Sequence, residues 1–175
     1  MEQMLALERA KDPGRRNIPL VVRMKLDLAG AKIHLTDWRA LSDNDRQNLI
    51  DTPFEGPAGE ADFCRVLNQA LESANRGVMP RIAPAAPPVT LWLNQAEPQE
   101  ISEFRVDARV HANWTDLSRF ERYLLCHAAQ QQNPELLRTI ALDTNLLTVQ
   151  EVLKIFEPAP LFCFFGSVPH SVRPQ

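Results

Sequence analysis

Apolar positions recur at helical spacing along much of the chain. The clearest case is residues 59–77, GEADFCRVLNQALESANRG, where apolar side chains follow the i, i+3, i+4, i+7 rule. These side chains are Phe63, Val66, Leu67, Ala70, Leu71 and Ala74. The spacing predicts a helix over 59–76 with a buried apolar stripe, and Gly77 is the predicted left-handed stop.

Start and stop signals divide the rest of the pattern into further helices. Pro19 and Gly30 bracket IPLVVRMKLDLAG in the order expected at the start of a helix and just beyond its end. Thr36 is the predicted cap of a short turn that carries Trp38, and Ser42 is the predicted cap of the helix after it. Other helices are predicted at residues 4–11, after Pro98, and behind caps at Ser118, Asn133 and Thr148.

One stretch of sequence occurs twice. DWRALSDNDRQNLI, residues 37–50, aligns in a single register with NWTDLSRFERYLLC, residues 113–126. The identical pairs are Trp38 with Trp114, Leu41 with Leu117, Ser42 with Ser118, Arg46 with Arg122, and Leu49 with Leu125. The two copies are expected to build one shared interior, because each supplies a large ring, a leucine and a capping serine. The second copy has no counterpart of Gly30, so its first helix is expected to end differently.

These elements predict an all-α fold in which two degenerate helical units form a single domain over 1–175. The first unit covers 18–77 and the second covers 99–157. Residues 78–98 hold five prolines and are predicted to be an extended connector, although VTLWL within it is apolar enough to lie against the protein. The tail, 158–175, contains LFCFF and is predicted to be a short strand or an irregular strap. It covers the protein's own core or serves in docking.

Composition and charge exclude several classes of protein. Hydrophobic residues make up 45% of the chain and charged residues 23%, which is ordinary for a soluble domain, and a formal net charge of -3 argues against nucleic acid as a partner. No secretory signal or membrane helix is apparent, so a cytoplasmic protein without membrane contact is expected. The cysteines Cys64, Cys126 and Cys163 are expected to be buried thiols.

No residue pattern indicates a catalytic or metal centre, and no cofactor is expected. Cys126 and His127 are neighbours on a predicted helix, where successive side chains point about 100° apart and do not readily share one ion. His34 and His111 are expected on the solvent side. The six glycines are scattered, so there is no glycine-rich phosphate loop.

The charged segment RMKLD is the strongest candidate for a binding site. Arg23 and Asp27 lie four residues apart on a predicted helix and are expected to pair, which favours a solvated structural face. The functional alternative is a basic edge that receives an acidic partner or an anionic cofactor. Its candidate residues are Arg23, Lys25, Asp27, Lys32 and His34, with Arg15 and Arg16 beside them.

Residues 18–53 resemble the N-terminal unit of the nitrate reductase associated protein family, small bacterial proteins often found alongside nitrate-assimilation and molybdopterin-cofactor genes. The matching positions are Ile18, Pro19, Arg23, Lys25, Leu26, Asp27, Gly30, Leu35, Trp38, Leu41, Arg46 and Leu49. A weaker resemblance covers 90–126, where Glu97 stands in place of the isoleucine expected before Pro98. The resemblance implies an accessory role, with nitrate reductase or the molybdenum-cofactor machinery as the protein partner.

Three functions are therefore considered. The first is a non-catalytic adaptor or maturation factor that supports nitrate reductase or its molybdenum-cofactor loading. The second is a small-molecule or anion-binding protein, or an enzyme, that uses the groove between the two units, with Arg23, Lys25 and His34 as anion contacts. The third is a DNA-binding helix-turn-helix protein, which Asp43 and Asp45 disfavour because they would repel phosphates at the head of the recognition helix.

Overall fold

The computed structural model describes residues 2–80 and 90–146, and the regular structure in these two ranges is helical. The α-helices are α1 (Ala6–Lys11), α2 (Leu20–Ala29), α3 (Leu35–Ala40), α4 (Asp43–Asp51), α5 (Gly56–Ser73), α6 (Gln99–Asp107), α7 (Arg119–Gln130) and α8 (Pro134–Asp143). Two short 3-10 turns cover Leu91–Leu93 and Trp114–Asp116. The predicted all-α class is confirmed for these ranges. The helix predicted behind Thr148 and the tail 158–175 lie outside them.

The caps that begin the helices are largely those expected from the sequence. Pro19 and Pro98 are the extended N-cap residues of α2 and α6. The hydroxyls of Ser42 and Ser118 accept the backbone N–H three residues further on, at 3.1 and 3.2 Å, so both serines cap their helices as predicted. Asn133 caps α8 in the same way, at 2.9 Å.

The helices α2 and α6 end in the same conformation. Gly30 has φ 58° and Arg109 has φ 59°, both in the left-handed region. The N–H of the next residue then bonds to the carbonyl five positions back, at 2.9 Å to Leu26 and at 3.0 Å to Arg105. The expectation that the second copy ends this helix differently is therefore wrong. An arginine adopts the left-handed conformation there, at a cost of about 1–2 kcal/mol.

Two other boundaries differ from the prediction. Helix α3 begins at Leu35 after His34, and the carboxylate of Asp37 accepts the His34 N–H at 3.4 Å, so Thr36 lies inside the helix instead of capping it. Helix α5 begins at residue 56 and stops at residue 73, before the predicted end. Asn75, with φ 56°, supplies the left-handed stop that was assigned to Gly77.

The interior contains side chains from both sides of residues 81–89. The six residues expected to form it are buried, and they belong to one hydrophobic cluster: Trp38, Leu41, Leu49, Trp114, Leu117 and Leu125. Trp92, from VTLWL, joins them with 2% exposure, so the segment packs against the protein at this residue, whereas Leu93 is exposed and Val89 lies outside the described ranges. Cys64 and Cys126 are buried as expected, while Cys163 lies outside the described ranges. Every helix in the described ranges is too short or too polar to span a bilayer.

Candidate functional site

Helix α2 carries three of the predicted binding residues but separates them. Arg23 is exposed, and its Nε donates to the carbonyl of Ile18 at 3.0 Å. No ion pair joins it to Asp27, so the predicted pairing of these two described residues is wrong. Lys32 and His34 are exposed in the segment between α2 and α3. The candidate residues thus occupy different environments instead of one site.

Lys25 points into the interior and is only 1% exposed. Its Nζ donates to the carbonyls of Ile50 and Thr52, both at 2.7 Å, and of Leu49 at 3.3 Å. Desolvation lowers the pKa of the Lys25 ammonium to about 8. Since all three protons are directed at the C-terminal end of α4, the ammonium acts as the cap of that helix.

Asp27 belongs to a small polar cluster at the junction of α2 and α7. The Tyr123 hydroxyl donates to the carboxylate of Asp27 at 3.5 Å, and the Tyr123 ring stacks on His127 with centroids 6.4 Å apart. The Trp92 ring meets Tyr123 edge-on at 5.3 Å. These residues line a cavity of about 40 Å³ together with Cys126 and Gln130.

Burial favours the neutral form of each titratable group in this cluster. It raises the pKa of Asp27, of Tyr123 and, to about 12, of Cys126, and it lowers the pKa of His127. A ligand pocket usually encloses about 300–1,000 Å³. The junction is therefore filled by side chains, which counts against a substrate groove between α2 and α7.

A second group of charged residues surrounds Trp38, and we call it the arginine cluster: Arg15, Arg16, Arg39 and Arg46. The indole Nε1 of Trp38 donates to the Arg15 carbonyl at 2.8 Å, and Arg39 Nε donates to the Arg16 carbonyl at 3.1 Å. The Arg15 guanidinium donates to the side chain of Gln47 on α4. The cluster is thus assembled from the segment before α2 and from α3 and α4.

The arginine cluster has deep and exposed members. The Arg46 side chain is 11% exposed and pairs with Asp43. The Nε atoms of Arg15 and Arg46 are buried and have no hydrogen-bond partner among the described residues. Arg16 and Arg39 are exposed. The cluster therefore combines two arginines whose Nε atoms are buried without a hydrogen-bond partner among the described residues with two arginines that face solvent.

The corresponding place in the second half carries a single arginine with satisfied donors. Arg122 donates to the carbonyls of Trp114, Asn94 and Thr115, at 3.0, 3.3 and 3.4 Å. The indole of Trp114 donates to the Asn94 carbonyl at 3.0 Å, as that of Trp38 does to Arg15. When Pro98 is aligned with Pro19 and Trp114 with Trp38, the residues at the positions of Arg15, Arg16 and Arg39 are Asn94, Gln95 and Thr115.

Sequence reasoning found part of this cluster. It placed Arg15 and Arg16 beside a basic edge and grouped them with Lys25 and Lys32. Arg46 was noted as a residue of the repeat, and in the structure it pairs with Asp43 on its own helix. Arg39 was not predicted. The alignment of the two copies contains a signal for it, since a threonine stands at its position in the second copy.

Comparison with known proteins gives one match. The model of the conserved nitrate reductase-associated protein family matches residues 4–142, which include the two segments whose resemblance was noted and the helices between and after them. No curated protein and no solved structure matches the chain. Because the family model covers most of the chain, this protein belongs to the conserved nitrate reductase-associated protein family.

Proposed function

We propose that this protein is an accessory protein of nitrate assimilation, which acts by binding nitrate reductase or a protein that loads its molybdenum cofactor. The family match over residues 4–142 carries this proposal. A binding role needs no enclosed site, since a partner protein is recognised on an exposed surface of suitable charge and shape. The proposed role is therefore compatible with a junction that side chains fill.

The packing of the interior supports binding at the surface. Two buried charges are matched inside the protein: Lys25 lies on the end of α4, and Arg105 reaches the carboxylate of Glu97 with its Nε and Nη2, both at 2.9 Å. Matched buried charges of this kind hold elements together. In the described ranges, the charged groups that a partner can contact are those exposed to solvent, which include Arg16 and Arg39.

Deletion of the gene tests this function. Growth with nitrate as the nitrogen source should fall together with nitrate reductase activity, while growth with ammonium stays unchanged as the control. Purified tagged protein should also retain nitrate reductase, or an enzyme of its molybdenum cofactor, from nitrate-grown cells. Normal nitrate growth and normal nitrate reductase activity in the deletion strain would contradict the proposal.

Anion binding is a second candidate, favoured by one depression of about 500 Å³. Arg9 and Arg15 line it together with Gln3, Gln47 and Asp51. Its volume lies in the usual range of ligand sites, and guanidinium groups suit oxyanions. Calorimetric titration with nitrate and with molybdate tests it. Binding that Arg9→Gln abolishes would favour this candidate, and absence of heat with both anions would remove it.

A further inference from the structure

We propose that the arginine cluster is the docking site for an acidic segment of a partner protein. This inference rests on the proposed function, because it names the surface through which the accessory protein would bind. The partner is defined by its chemistry, an exposed stretch of aspartate and glutamate side chains. The argument depends on charge, on the geometry of the guanidinium groups and on the comparison of the two halves.

The charge of this region has the opposite sign to that of the whole chain. Residues 15–46, which span the cluster, contain seven lysines and arginines against four aspartates and glutamates, while the formal net charge of the chain is -3. Three carboxylates near the cluster already have partners. Asp12 accepts the backbone and side-chain N–H groups of Asn17 at 2.7 and 3.0 Å, Asp37 pairs with Arg76 at 3.9 Å, and Asp43 pairs with Arg46. Asp12 also lies within Coulombic reach of Arg16, but neither Arg16 nor Arg39 forms a salt bridge to a described carboxylate.

The exposed guanidinium groups keep donors for a ligand. Arg39 uses its Nε to reach the Arg16 carbonyl, and the terminal nitrogens of Arg39 and the guanidinium of Arg16 make no hydrogen bond to a described residue. The planar fork of a guanidinium group matches the two oxygens of a carboxylate. Helix α3 and the indole of Trp38 fix the backbone beneath both arginines, so part of the ordering needed for binding is already present.

The second half shows that the fold itself does not need these arginines. The same tryptophan-to-carbonyl hydrogen bond forms there with Asn94, Gln95 and Thr115 at the matching positions. Charges that a scaffold does not need for its own packing are available for recognition. The guanidinium group of Arg16 and the terminal nitrogens of Arg39, which make no hydrogen bond to a described residue, are therefore available for recognition.

The shape of this surface favours a chain of carboxylates over a single small anion. Arg16 and Arg39 line none of the four depressions described in this structure, whereas a small oxyanion is usually held in a concave site. The exposed arginines come from the segment before α2 and from α3. An extended acidic segment can contact both arginines at once, and linked contacts of this kind raise the overall affinity.

Fluorescence anisotropy with a labelled octaglutamate peptide tests this inference. The variant Arg16→Gln/Arg39→Gln should bind the peptide at least about tenfold more weakly than the unaltered protein at low salt, because two charge-assisted contacts are lost. The matched control is Arg23→Gln/Lys32→Gln, which removes the same charge from the same part of the chain. It should stay within about twofold of the unaltered protein. Single Arg16→Gln, which breaks no described hydrogen bond of the guanidinium group, replaces the double variant if the latter does not fold.

Three results would overturn the inference. The first is no peptide binding by the unaltered protein at low salt. The second is equal weakening in the cluster variant and in the control, which would reduce the effect to net charge. The third is loss of peptide binding in about 10 mM inorganic phosphate at constant ionic strength, which would show a small-oxyanion site instead.

Failure of this inference can be told apart from failure of the proposed function. If the deletion strain loses nitrate growth and the cluster variant restores it fully, the function stands and the docking site is wrong. If the deletion strain grows normally on nitrate, the function is wrong whatever the peptide does.

Discussion

The two halves of the molecule meet the same packing requirement with different side chains. Trp38 and Trp114 both donate to a backbone carbonyl that lies four residues before the proline that begins the next helix. The sequence separation from acceptor to tryptophan is 23 residues in the first half and 20 in the second. The second half is shorter by these three residues because a 3-10 turn stands in place of α3. These matching contacts support the two-unit interpretation.

The two halves differ most in whether equivalent positions carry apolar or charged side chains. The positions of Ile18 and Leu26 in the first half correspond to Glu97 and Arg105 in the second, where the two side chains form a bidentate ion pair. An apolar pair and an ion pair thus occupy equivalent places. The two halves therefore differ here at two positions that lie eight residues apart in the sequence.

A second difference concerns the end of the helix behind the capping serine. Helix α4 stops at Asp51, and Lys25 caps its last carbonyls, whereas α7 continues to Gln130. The position of Lys25 corresponds to Phe104 in the second half. A buried ammonium in one half therefore takes the place of an additional helical turn in the other.

The largest effect is expected from the two tryptophans. Trp38→Ala and Trp114→Ala should each lower the free energy of unfolding by about 3–5 kcal/mol, because each removes a buried ring and its indole hydrogen bond. Urea unfolding followed by circular dichroism measures both. A loss below about 1 kcal/mol for either one would show that the two rings do not play equivalent parts.

The ion pair of the second half gives a sharper test. Glu97→Ile alone and Arg105→Leu alone should each cost about 3 kcal/mol, because each leaves a buried charge without its partner. The double variant recreates the residues of the first half and should recover most of that loss. A double variant as unstable as the sum of the singles would contradict the equivalence of these positions.

Replacement of Lys25 tests the cap of α4. Lys25→Met should lower the free energy of unfolding by about 2–3 kcal/mol, since it leaves carbonyls of α4 without a donor. The folded-state pKa of about 8 lies below the ordinary 10.5, so the native state binds fewer protons than the unfolded state between these values. The stability of the unaltered protein should therefore rise relative to the variant as pH increases from about 8 to 10.5.

Phe104→Met is the matched control for Lys25→Met. It should cost less than about 1.5 kcal/mol and should introduce no pH dependence, because both side chains are apolar and similar in volume. A pH profile of Lys25→Met identical to that of the unaltered protein would contradict the role given to the ammonium.

The two capping serines should differ slightly. Ser42→Ala and Ser118→Ala should each cost about 1 kcal/mol. Ser42→Ala should cost the more of the two, because the Ser42 hydroxyl also donates to the Asp45 carboxylate at 2.6 Å, whereas the bond from the Ser118 backbone N–H to Glu121 survives in Ser118→Ala. Thermal unfolding of the two variants side by side measures this difference, and the reverse order would contradict it.

The smallest effect concerns the junction of α2 and α7. Burial lowers the pKa of His127, so the native state binds fewer protons than the unfolded state below the ordinary value of 6.5. The stability contributed by neutral His127 is lost as pH falls below 6.5. His127→Asn should remove this part of the pH dependence, which amounts to less than about 1 kcal/mol of unfolding free energy. His34→Asn, at an exposed position, is the control for the substitution itself and should change the free energy of unfolding by less than about 0.5 kcal/mol. Asp27, Tyr123 and Arg23 surround His127 and stay in both variants.

Local signals predicted most of the fold, since they depend on neighbours in the sequence. The caps at Ser42, Ser118 and Asn133 and the left-handed end at Gly30 follow from residue type. The left-handed residues Asn75 and Arg109 were not predicted, because the hydrogen-bonded ends of α5 and α6 decide these conformations and the residue types do not.

The candidate site could be predicted only in part, because it depends on contacts between distant segments. Whether Lys25 faces solvent or the carbonyls of α4 is set by the packing of α2 against α4, and periodicity alone places it on the same helix as exposed Arg23. Arg15 and Arg39 come together through hydrogen bonds across more than twenty residues. Arg15 was predicted to lie beside a basic edge because of its charge, whereas only the alignment of the two copies carried a sequence signal for Arg39.

Complementation of the deletion strain tests the central claim, that the first half carries the partner surface on a scaffold shared with the second. The account predicts that Arg23→Gln/Lys32→Gln restores growth on nitrate as well as the unaltered gene does. Arg16→Gln/Arg39→Gln, expressed at the same level, should fail to restore it. Full restoration by the cluster variant would contradict the account.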